Sequence, residues 1–492
     1  MTDLNDRADA GATTVTVGDH TARLLPAQKE PEKQLTKALS DLAAALPTAS
    51  ALAAHADSCS VESIAITPDF HGGKPMPVGV VTQTTDFLMP HAIGNDIGCG
   101  MRSVVLPEIT EQDVVENRPA LMKSLRHVFF QGGRHLSLSG RQRRAILRDG
   151  LIGLLETLAD HHDGLLGYYD RAQCEAELDH TCDLGAFAAD DVVDAFDAFC
   201  GEADDVRRDS VLGTIGGGNH FVELQVVERI ADNASAHCYG LAEGQIVVTV
   251  HSGSLGFGQN VGTTVAEQLR AAWSGRTGAD VRVLALSGPT AGIVESYLVG
   301  LANATNAAFA NRLFLGLATI KALSDVLGRR FDHRLIYDAP HNVIWRQAPD
   351  QFLHRKGACP ARGPQDLGGT PFAHVGEPVI LPGSMGDATW ILAGCGSGDT
   401  LSSSAHGAGR RLTRQEARRE PFAREDLSVV GPIDLDDPQV RRRPDIVAEA
   451  RERLAEEAPN AYRPIDNVVG AMVAQSVVRP VARLRPLVTA KG

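Results

Sequence analysis

The chain has 492 residues, with 47 lysines and arginines against 61 aspartates and glutamates, and a formal net charge of −14 at pH 7. This acidic excess argues against a protein that holds nucleic acid by bulk charge, because such binding depends on cationic side chains meeting phosphates. A composition of 43% hydrophobic and 22% charged residues excludes wholesale disorder. No apolar run approaches the ~18 residues of a membrane span, and the N-terminus lacks the apolar core of a signal peptide. We therefore expect no membrane association, reduced cysteines and a cytoplasmic protein.

The predicted elements follow one another without a repeat, a low-complexity linker or a clear domain boundary. Residues 1–30 are expected to be a poorly defined lead-in, followed by a single domain over residues 31–492. Within that domain the sequence predicts a helix at 34–46, strands and turns at 64–105, a helical segment at 109–210 and a long helix at 294–327. Short β-branched runs alternate with Gly/Ser/His loops after residue 213, and the chain ends in a strand-like run. The expected fold class is α+β, one large mixed body with central β-sheets and surrounding helices.

Six residues at glycine-framed or strand-end positions stand out as possible metal ligands: Asp96, Cys99, His220, His251, His341 and His406. Strand ends are rigid mounts on which side chains from distant parts of the chain can converge. Imidazole, carboxylate and thiolate together suit a borderline transition ion such as Zn²⁺, Mn²⁺ or Fe²⁺, and a thiolate can bridge two ions. A single histidine after a strand is more often structural, however, and these long spacings fit no short zinc motif. A metal site and a set of structural residues are both open at this point.

His406 differs from the other histidines because a run of arginines follows it in SSSAHGAGRR and beyond: Arg410, Arg411, Arg414, Arg418, Arg419 and Arg424. A charge run is usually a solvated helix face. The alternative is a histidine nucleophile or acid–base group beside a phosphate-binding cluster, since arginine matches phosphate bidentately. Gly407 and Gly409 would let backbone amides reach phosphate oxygens. The loop LPGSMGDAT at 381–389 offers amides and hydroxyls to an anion in the same way, with a structural turn as the equal alternative.

Taken together, these strings resemble the RtcB family of RNA-splicing ligases. The resemblance runs from about residue 64 to the C-terminus and rests on motifs in the order of that family: ITPDFHGG, GNDIGCGM, GTIGGGNHFVEL, VTVHSGSLGFG, ANR, APHN, HRKGA, LPGSMGDAT, SSAHGAGR, EAPNAYRPIDNVV and the terminal Lys-Gly. It is weak over residues 109–205 and almost absent over the first thirty residues.

The resemblance implies a role for each matching residue. Asp96, Cys99, His220, His251 and His341 correspond to the ligands of two manganese ions, with Cys99 as the bridge. His406 corresponds to the histidine that becomes guanylylated, and Arg414 to an arginine that meets RNA phosphate. The implied GTP pocket consists of Asn219, Phe221, Glu223, Asn342, Ser384, Thr389, Gly407, Ala408, Gly409, Tyr462 and Lys491, with Tyr462 stacked on the guanine and Lys491 at its edge.

The implied activity is ligation of an RNA 3′-phosphate or 2′,3′-cyclic phosphate to a 5′-hydroxyl, in tRNA splicing or RNA repair. The implied route passes through a histidine–GMP intermediate and an RNA-(3′)pp(5′)G end, with GTP as co-substrate, RNA as partner and an archease-type activator as a further expected partner. Two departures stand out, because Leu255 replaces a common arginine and Asn95 replaces a common aromatic residue. A dinuclear metal-dependent phosphodiesterase without ligation, and a non-catalytic RNA-binding factor using residues 410–424, are the competing hypotheses.

Overall fold

The computed structural model describes residues 12–25, 32–159, 163–274, 280–420 and 427–492. Its strands, in chain order, are β1 (Thr13–Val17), β2 (His20–Leu24), β3 (Ser60–His71), β4 (Val78–Thr85), β5 (Phe87–Leu88), β6 (Gly100–Leu106), β7 (Ser137–Leu138), β8 (Arg207–Arg208), β9 (Phe221–Ile230), β10 (Ile246–Ser252), β11 (Leu284–Ala285), β12 (Arg334–Pro340), β13 (Asn342–Ala348), β14 (Gln351–Lys356), β15 (Ala358–Pro360), β16 (Pro378–Pro382), β17 (Thr389–Gly394), β18 (Ser403–Ala405), β19 (Val429–Val430) and β20 (Val478–Lys491).

The α-helices, in chain order, are α1 (Glu32–Ala45), α2 (Ala49–Ala53), α3 (Pro90–Ile93), α4 (Glu111–Glu116), α5 (Arg118–Phe130), α6 (Gly140–Thr157), α7 (Arg171–Leu178), α8 (Asp197–Cys200), α9 (Asn233–Cys238), α10 (Gly256–Ala272), α11 (Ala291–Leu327), α12 (Arg414–Ala417), α13 (Pro444–Glu456) and α14 (Ile465–Ala474). The mixture of helices and largely antiparallel sheets confirms the expected α+β class.

A six-stranded sheet in the order β1-β2-β3-β4-β14-β13 carries the N-terminal part of the chain. Its first two strands lie inside the segment expected to be a poorly defined lead-in, so the structure differs from that expectation over residues 13–24. The two-residue turn Gly18–Asp19 closes a hairpin in which Val17 pairs with His20, and Gly18 supplies the positive φ of 60° that such a turn requires. β2 then joins the sheet through a parallel pairing with β3.

A larger, eight-stranded sheet, in the order β12-β6-β10-β9-β20-β17-β16 with β19 beside β20, positions the candidate site. Its strands from β12 to β20 run antiparallel to their neighbours. As a result, the ends of β12, β10 and β20 and the beginnings of β6 and β9 lie at the same edge. The register places His251 opposite both Met101 and Phe221, and Phe221 opposite Lys491.

Helix α11 forms the centre of the helical layer against this sheet. It has 37 residues, is buried on all sides over most of its length and contains the long helix predicted at 294–327. The segment 109–210 supplies α4 to α8, and both α5 and α6 pack against α11. None of the helices in the described part of the chain is long and apolar enough to cross a membrane. All eight cysteines are free thiols, as the sequence predicted.

Candidate active site

Five predicted ligands converge at the shared edge of the larger sheet. Cys99 immediately precedes β6, His220 precedes β9, His251 lies near the end of β10 and His341 follows β12. The Cys99 Sγ atom lies 3.3 Å from His220 Nε2 and 3.2 Å from His251 Nε2. His220 Nε2 is also 2.9 Å from Asp96 Oδ2, and the Nε2 atoms of His251 and His341 are 3.4 Å apart. The structure therefore joins residues up to 245 positions apart in one contiguous cluster.

Hydrogen bonds from the far sides of two imidazoles set their tautomers. Nδ1 of His220 lies 3.0 Å from the carbonyl oxygen of Ile215, and Nδ1 of His251 lies 3.2 Å from that of Asn219. Because a carbonyl oxygen only accepts, Nδ1 carries the proton in each neutral ring. The Nε2 lone pairs are then directed at Cys99, which is the arrangement of metal-ligating histidines whose other nitrogen is held by a backbone acceptor.

Burial favours the neutral forms of His251 and His341 in this cluster. It holds the pKa values of His251 and His341 well below the ordinary range, and the neighbouring imidazoles add to the effect. Burial, and then the charge of Asp96, raises the pKa of the Cys99 thiol well above its usual value. Burial would raise the pKa of Asp96, but the adjacent His220 ring and the Cys99 thiol outweigh it and lower the pKa. A cation among these groups would reverse the preference of Cys99, because a coordinating thiol is deprotonated.

The donor geometry fits divalent transition ions. Within the described residues, two groups have all their donor atoms within 4.8 Å of one another: Cys99, His251 and His341 form one, and Asp96, Cys99 and His220 form the other. Ligand bonds of about 2.1–2.3 Å in a tetrahedral site imply donor–donor spacings of roughly 3.4–3.8 Å, close to those observed. Cys99 belongs to both groups. The donor set accepts zinc as well as manganese.

Two glycines allow the ligand loops to pack this closely. A Cβ atom on Gly253 would lie 2.1 Å from Asp96 Oδ1, so any side chain there would displace that carboxylate. Gly98, at a φ of 72°, lies against α11, and a Cβ atom on it would be 2.8 Å from Ala308 Cβ. Both positions belong to the glycine-framed strings that identified the ligands in the sequence.

A pair of buried polar residues on α11 holds the loops that carry these ligands. Arg312 donates to the carbonyl oxygens of Gly98 and Ser252, at 2.6 and 3.1 Å, and pairs with the buried carboxylate of Asp338 at 2.8 Å. Gly98 is next to Cys99 in the chain, Ser252 is next to His251, and Asp338 precedes His341 by three residues.

Asn311 performs the same task on the remaining segments. Its side-chain oxygen accepts from the backbone amides of Gly213 and Thr214, and its Nδ2 donates to the backbone of Thr214 and Gly253 and to the hydroxyl of Ser252. The ANR string was recognised in the sequence without a role. The structure shows that its two polar residues hold the loops of the candidate metal ligands from behind.

His406 lies beside this cluster, with its ring centroid 4.7 Å from that of His341. Its Nδ1 is 2.6 Å from Oδ2 of Asp69, which also accepts from the His406 backbone amide at 3.2 Å. Asp69 is fully buried, and burial alone would raise its pKa, but its hydrogen bonds from His406 and Thr67 hold the pKa below the ordinary value. The carboxylate thus fixes the ring and leaves Nε2 as the free nitrogen.

Sequence reasoning assigned no role to Asp69, although it lies in the ITPDFHGG string. An aspartate preceded by proline at the end of a strand gives no sign of a partner 337 residues away. The one available signal was a carboxylate in a motif with no other chemistry attached to it.

A cavity of about 870 Å³ opens over the metal cluster and His406. All but one of the residues expected to form the nucleotide pocket line this cavity. They are Asn219, Phe221, Glu223, Asn342, Ser384, Gly407, Ala408, Gly409, Tyr462 and Lys491. Arg414, the expected RNA contact, lines it as well. Thr389 does not line the cavity. Its hydroxyl instead accepts from Gln225 at 2.7 Å, and Gln225 in turn donates to Glu223 at 2.6 Å.

Glu223 and Lys491 form a buried pair of ionisable groups at one wall. Burial raises the pKa of Glu223 to about 7, against the lowering effect of hydrogen bonds from Thr489 and Gln225. Burial likewise lowers the pKa of Lys491, whose ammonium donates to the carbonyl oxygen of His220 at 3.4 Å. Lys491 reaches this position because β20 pairs with β9 up to the penultimate residue.

Tyr462 lies against the arginine run. The guanidinium of Arg410 lies over its ring at 4.9 Å from the centroid and also donates to Glu457 at 3.1 Å. One face of the Tyr462 ring is therefore covered, and a planar base could stack only on the other face. Arg414 is 57% exposed and lies 3.5 Å from Glu456.

The rest of the arginine run is also partly neutralised. Arg418 pairs with Glu456, and Arg411 donates to the backbone of Asn460 at 3.0 Å. Arg424 lies outside the described residues. The basic string is thus less available to phosphates than its sequence suggested, because the end of α13 supplies two glutamates to it.

The two departures from the family pattern also have structural settings. Leu255 adopts a φ of 55° immediately before α10 and packs toward the glycine loop of His220. Asn95 donates to Gln259 at 3.2 Å.

The side-chain amide of Asn342, one of the expected pocket residues, is hydrogen-bonded to the backbone. Its oxygen accepts from the Gly357 amide at 2.8 Å, and its nitrogen donates to the Asp96 carbonyl oxygen at 3.3 Å.

The fold and the site define an α+β protein with a candidate metal centre of shared thiolate type and a carboxylate-held histidine in one cavity. A family model described as tRNA-splicing ligase RtcB matches residues 51–492. The chain is 32% identical over 443 residues to the RNA-splicing ligase RtcB of Mycobacterium tuberculosis, covering 86% of this chain and 96% of that protein. It is 31% identical over 453 residues to the tRNA-splicing ligase RtcB of Thermococcus kodakarensis, covering 87% of each. The chain therefore belongs to the RtcB family, which confirms the resemblance found in the sequence.

Proposed function

We propose that this protein is a GTP- and manganese-dependent RNA ligase that joins RNA 3′-phosphate or 2′,3′-cyclic phosphate ends to 5′-hydroxyl ends. One observation carries the proposal. Two candidate metal-ligand groups share Cys99, and His341 of one group lies next to His406, which a buried carboxylate holds in place. Family membership and the names of the relatives, which describe RNA and tRNA splicing, support it.

His406 is the nucleophile in this proposal. Its Nδ1–H is bonded to Asp69, so Nε2 is the atom that attacks the α-phosphorus of GTP. The N–P bond forms as the bond to the pyrophosphate oxygen breaks, and pyrophosphate leaves. The Asp69 carboxylate stabilises the positive charge that develops on the ring, as the orienting carboxylate does in other histidine-based catalysts. Gly407, Ala408 and Gly409 offer backbone amides to the phosphate at this point.

The ligands Asp96, Cys99, His220, His251 and His341 would hold two manganese ions. When bound, the ions supply positive charge to the phosphate oxygens without any proton transfer. His341 lies between the His251 ring, 5.1 Å away by centroid, and the His406 ring. In this proposal the ions held by these ligands and the His406 nucleophile act on the same phosphate.

Guanine recognition is assigned to the wall formed by Glu223, Lys491 and Tyr462. An ionised Glu223 accepts hydrogen bonds from the N–H edge of guanine, and Lys491 donates to a neighbouring acceptor. The base stacks on the face of Tyr462 that Arg410 leaves uncovered. Thr389 and Gln225 contribute by orienting Glu223 from behind rather than by contacting the nucleotide.

The remaining steps use the same cavity. The guanylyl group passes from His406 to the RNA 3′-phosphate, giving an RNA-(3′)pp(5′)G end. The 5′-hydroxyl then attacks the RNA phosphorus and GMP leaves, so one phosphodiester forms for each GTP consumed. Arg414, exposed at the cavity, is assigned to RNA phosphate. We propose tRNA splicing or RNA repair in the cytoplasm as the setting, with an archease-type protein as activator.

The test is guanylylation of the purified full chain with labelled GTP and Mn²⁺. We expect an acid-labile protein–GMP adduct that is lost in His406→Ala and on chelation. His374, which is exposed and does not line the cavity, provides the matched control, so His374→Ala should form the adduct normally. Absence of the adduct with every divalent metal tried would refute the proposal.

A metal-dependent phosphodiesterase would need the ligand groups but neither a histidine nucleophile nor a guanine wall. The same preparations distinguish it from a ligase. Under the ligase proposal, wild type joins a cyclic-phosphate RNA to a 5′-hydroxyl RNA and His406→Ala does not. Opening of the cyclic phosphate without joining, in wild type as in His406→Ala, would identify a phosphodiesterase.

A further inference from the structure

Helix α1 lies at the mouth of the active-site cavity although it precedes the part of the chain matched by the family model, which begins at residue 51. Lys33, Gln34, Lys37 and Asp41 of this helix line the same cavity as Cys99 and His406. The helix that the sequence predicted at residues 34–46, without a role, thus contributes to the active-site wall.

The position of α1 is fixed by its other face. Ala38, Leu42 and Ala45 are buried, and Leu42 belongs to the apolar cluster that contains Phe70, the residue after Asp69. The packing that seats α1 is therefore continuous with the strand end that holds the nucleophile.

Three hydrogen bonds hold α1 at both of its ends. Gln34 donates to the carbonyl oxygen of Arg411 at 3.1 Å, which links the start of the helix to the arginine run. At the other end, Arg282 donates to the carbonyl oxygen of Ala44 at 3.1 Å, and His91 donates to that of Ala45 at 3.0 Å. A helix bound in this way presents a defined surface to the cavity.

The charged residues that line the cavity are mostly basic, although the net charge of the whole chain is negative. The lining includes eight lysines and arginines against five aspartates and glutamates, whereas the chain carries a formal charge of −14. On α1, Lys33 and Lys37 are four residues apart and so share one helical face. Both are exposed, unlike Glu223 and Lys491, which are buried at the nucleotide wall.

Lys37 pairs with Asp41 at 2.8 Å, but this pair does not commit the lysine. Their side chains are 76% and 42% exposed, and solvent screening leaves an exposed pair at this spacing only weakly held. A phosphate can therefore draw Lys37 away at little cost. Asp41 remains as a negative charge on the same face and would weaken the binding of an anionic ligand.

We propose that Lys33 and Lys37 bind the phosphates of the RNA strand whose end reaches His406, so that α1 serves as an RNA-binding addition to the active site. This inference rests on the proposed function for the identity of the polyanion. It applies to phosphates other than the reacting one, because both lysines are exposed whereas His406 and Cys99 are buried.

The test measures binding of a fluorescent single-stranded RNA of about twelve nucleotides with a 3′-phosphate to the full chain by anisotropy, as a function of salt. In Lys33→Gln/Lys37→Gln we expect Kd to rise about threefold to tenfold. The slope of log Kd against log salt should fall by about 1.4, since each phosphate contact on a single strand contributes about 0.7. Asp41→Asn should change Kd in the opposite direction. A dinucleotide 3′-phosphate, used as a competitor, should bind wild type and the double variant equally.

Lys321→Gln is the matched control, because Lys321 also forms an i,i+4 pair, with Asp325, and does not line the cavity. It should leave Kd unchanged. Equal RNA affinity and salt slope in wild type and the double variant would overturn the inference, as would a rise in the GTP concentration needed for the protein–GMP adduct. If wild type forms no adduct, the ligase proposal fails, while the anisotropy still decides whether these lysines bind RNA.

Discussion

Replacement of Asn311 by alanine tests whether this residue positions the candidate metal ligands in addition to stabilising the fold. Asn311 is fully buried on α11 and contacts the backbone around Gly213, Thr214 and Gly253, together with the Ser252 hydroxyl. These segments carry His220 and His251. Removing the amide frees both loops while leaving every ligand present.

The magnitude follows from the groups left without partners. In Asn311→Ala, the buried amide of Gly213 and the partly buried amide of Thr214 lose their acceptor. An unsatisfied buried group costs about 1–3 kcal/mol and a partly buried one costs less, so we expect a loss of about 2–4 kcal/mol in the free energy of unfolding of the metal-free chain. Outer-shell partners of ligands typically contribute 10- to 100-fold in metal affinity, so we expect a loss of about that size.

The same helix offers a matched control. Asn306 is also fully buried and bonds the backbone of Leu147, Arg148 and Phe187, in the helical segment and remote from the ligands. Asn306→Ala should destabilise the fold by a similar amount without changing metal affinity.

The assay combines chelator competition for Mn²⁺ with thermal unfolding of the metal-free and metal-loaded chains. We expect the stabilisation by metal to shrink in Asn311→Ala and to persist in Asn306→Ala. Equal metal affinity in Asn311→Ala and wild type, or an equal loss in both variants, would refute the idea that Asn311 positions the ligand loops.

Three further predictions concern the nucleophile, the guanine wall and a ligand loop. Asp69→Asn should slow formation of the protein–GMP adduct by roughly 10²-fold or more, since the ring loses its orienting carboxylate, without changing metal affinity; an unchanged rate would exclude that role. Burial raises the pKa of Glu223 to about 7, so GTP binding measured by calorimetry should weaken as the pH falls below that value, because the protonated form loses its acceptor. In Glu223→Gln the pH dependence should vanish, and its persistence would assign it elsewhere. Gly253→Ala should lower Mn²⁺ affinity about 10- to 100-fold by displacing Asp96, whereas Gly217→Ala, whose new methyl group meets nothing within 4 Å, should not; equal effects would contradict the steric argument.

The charge distribution explains how an acidic chain can act on RNA. Most basic residues of the cavity wall come from α1 and from the segment after His406, and Lys356, Arg463 and Lys491 supply the rest. Two of them are paired with carboxylates, Arg410 with Glu457 and Arg414 with Glu456. Catalysis with release of product does not require a uniformly basic surface. The acidic composition bounded the surface as a whole, and the exceptions to it are concentrated where phosphates would bind.

Local patterns in the sequence were enough to predict the principal elements and the candidate ligands. The apolar run of α11, the β-branched runs of β10 and β12 and the glycine-framed Cys99 each carry their structural tendency within a few residues. The metal donors were recognisable because imidazole, thiol and carboxylate at strand ends are a chemically distinctive set.

Relations between distant segments were decided only by the tertiary structure. Asp69 supports His406 across 337 positions, α11 supports the ligand loops through Asn311 and Arg312, and α1 reaches the cavity by packing against the strand that ends beside Asp69. Thr389 was expected at the nucleotide and lies behind Glu223 instead. A residue's type and its neighbours in the chain indicate what chemistry it can perform. Its hydrogen-bond partner, its burial and therefore its pKa depend on which distant backbone the sheet and helices bring against it.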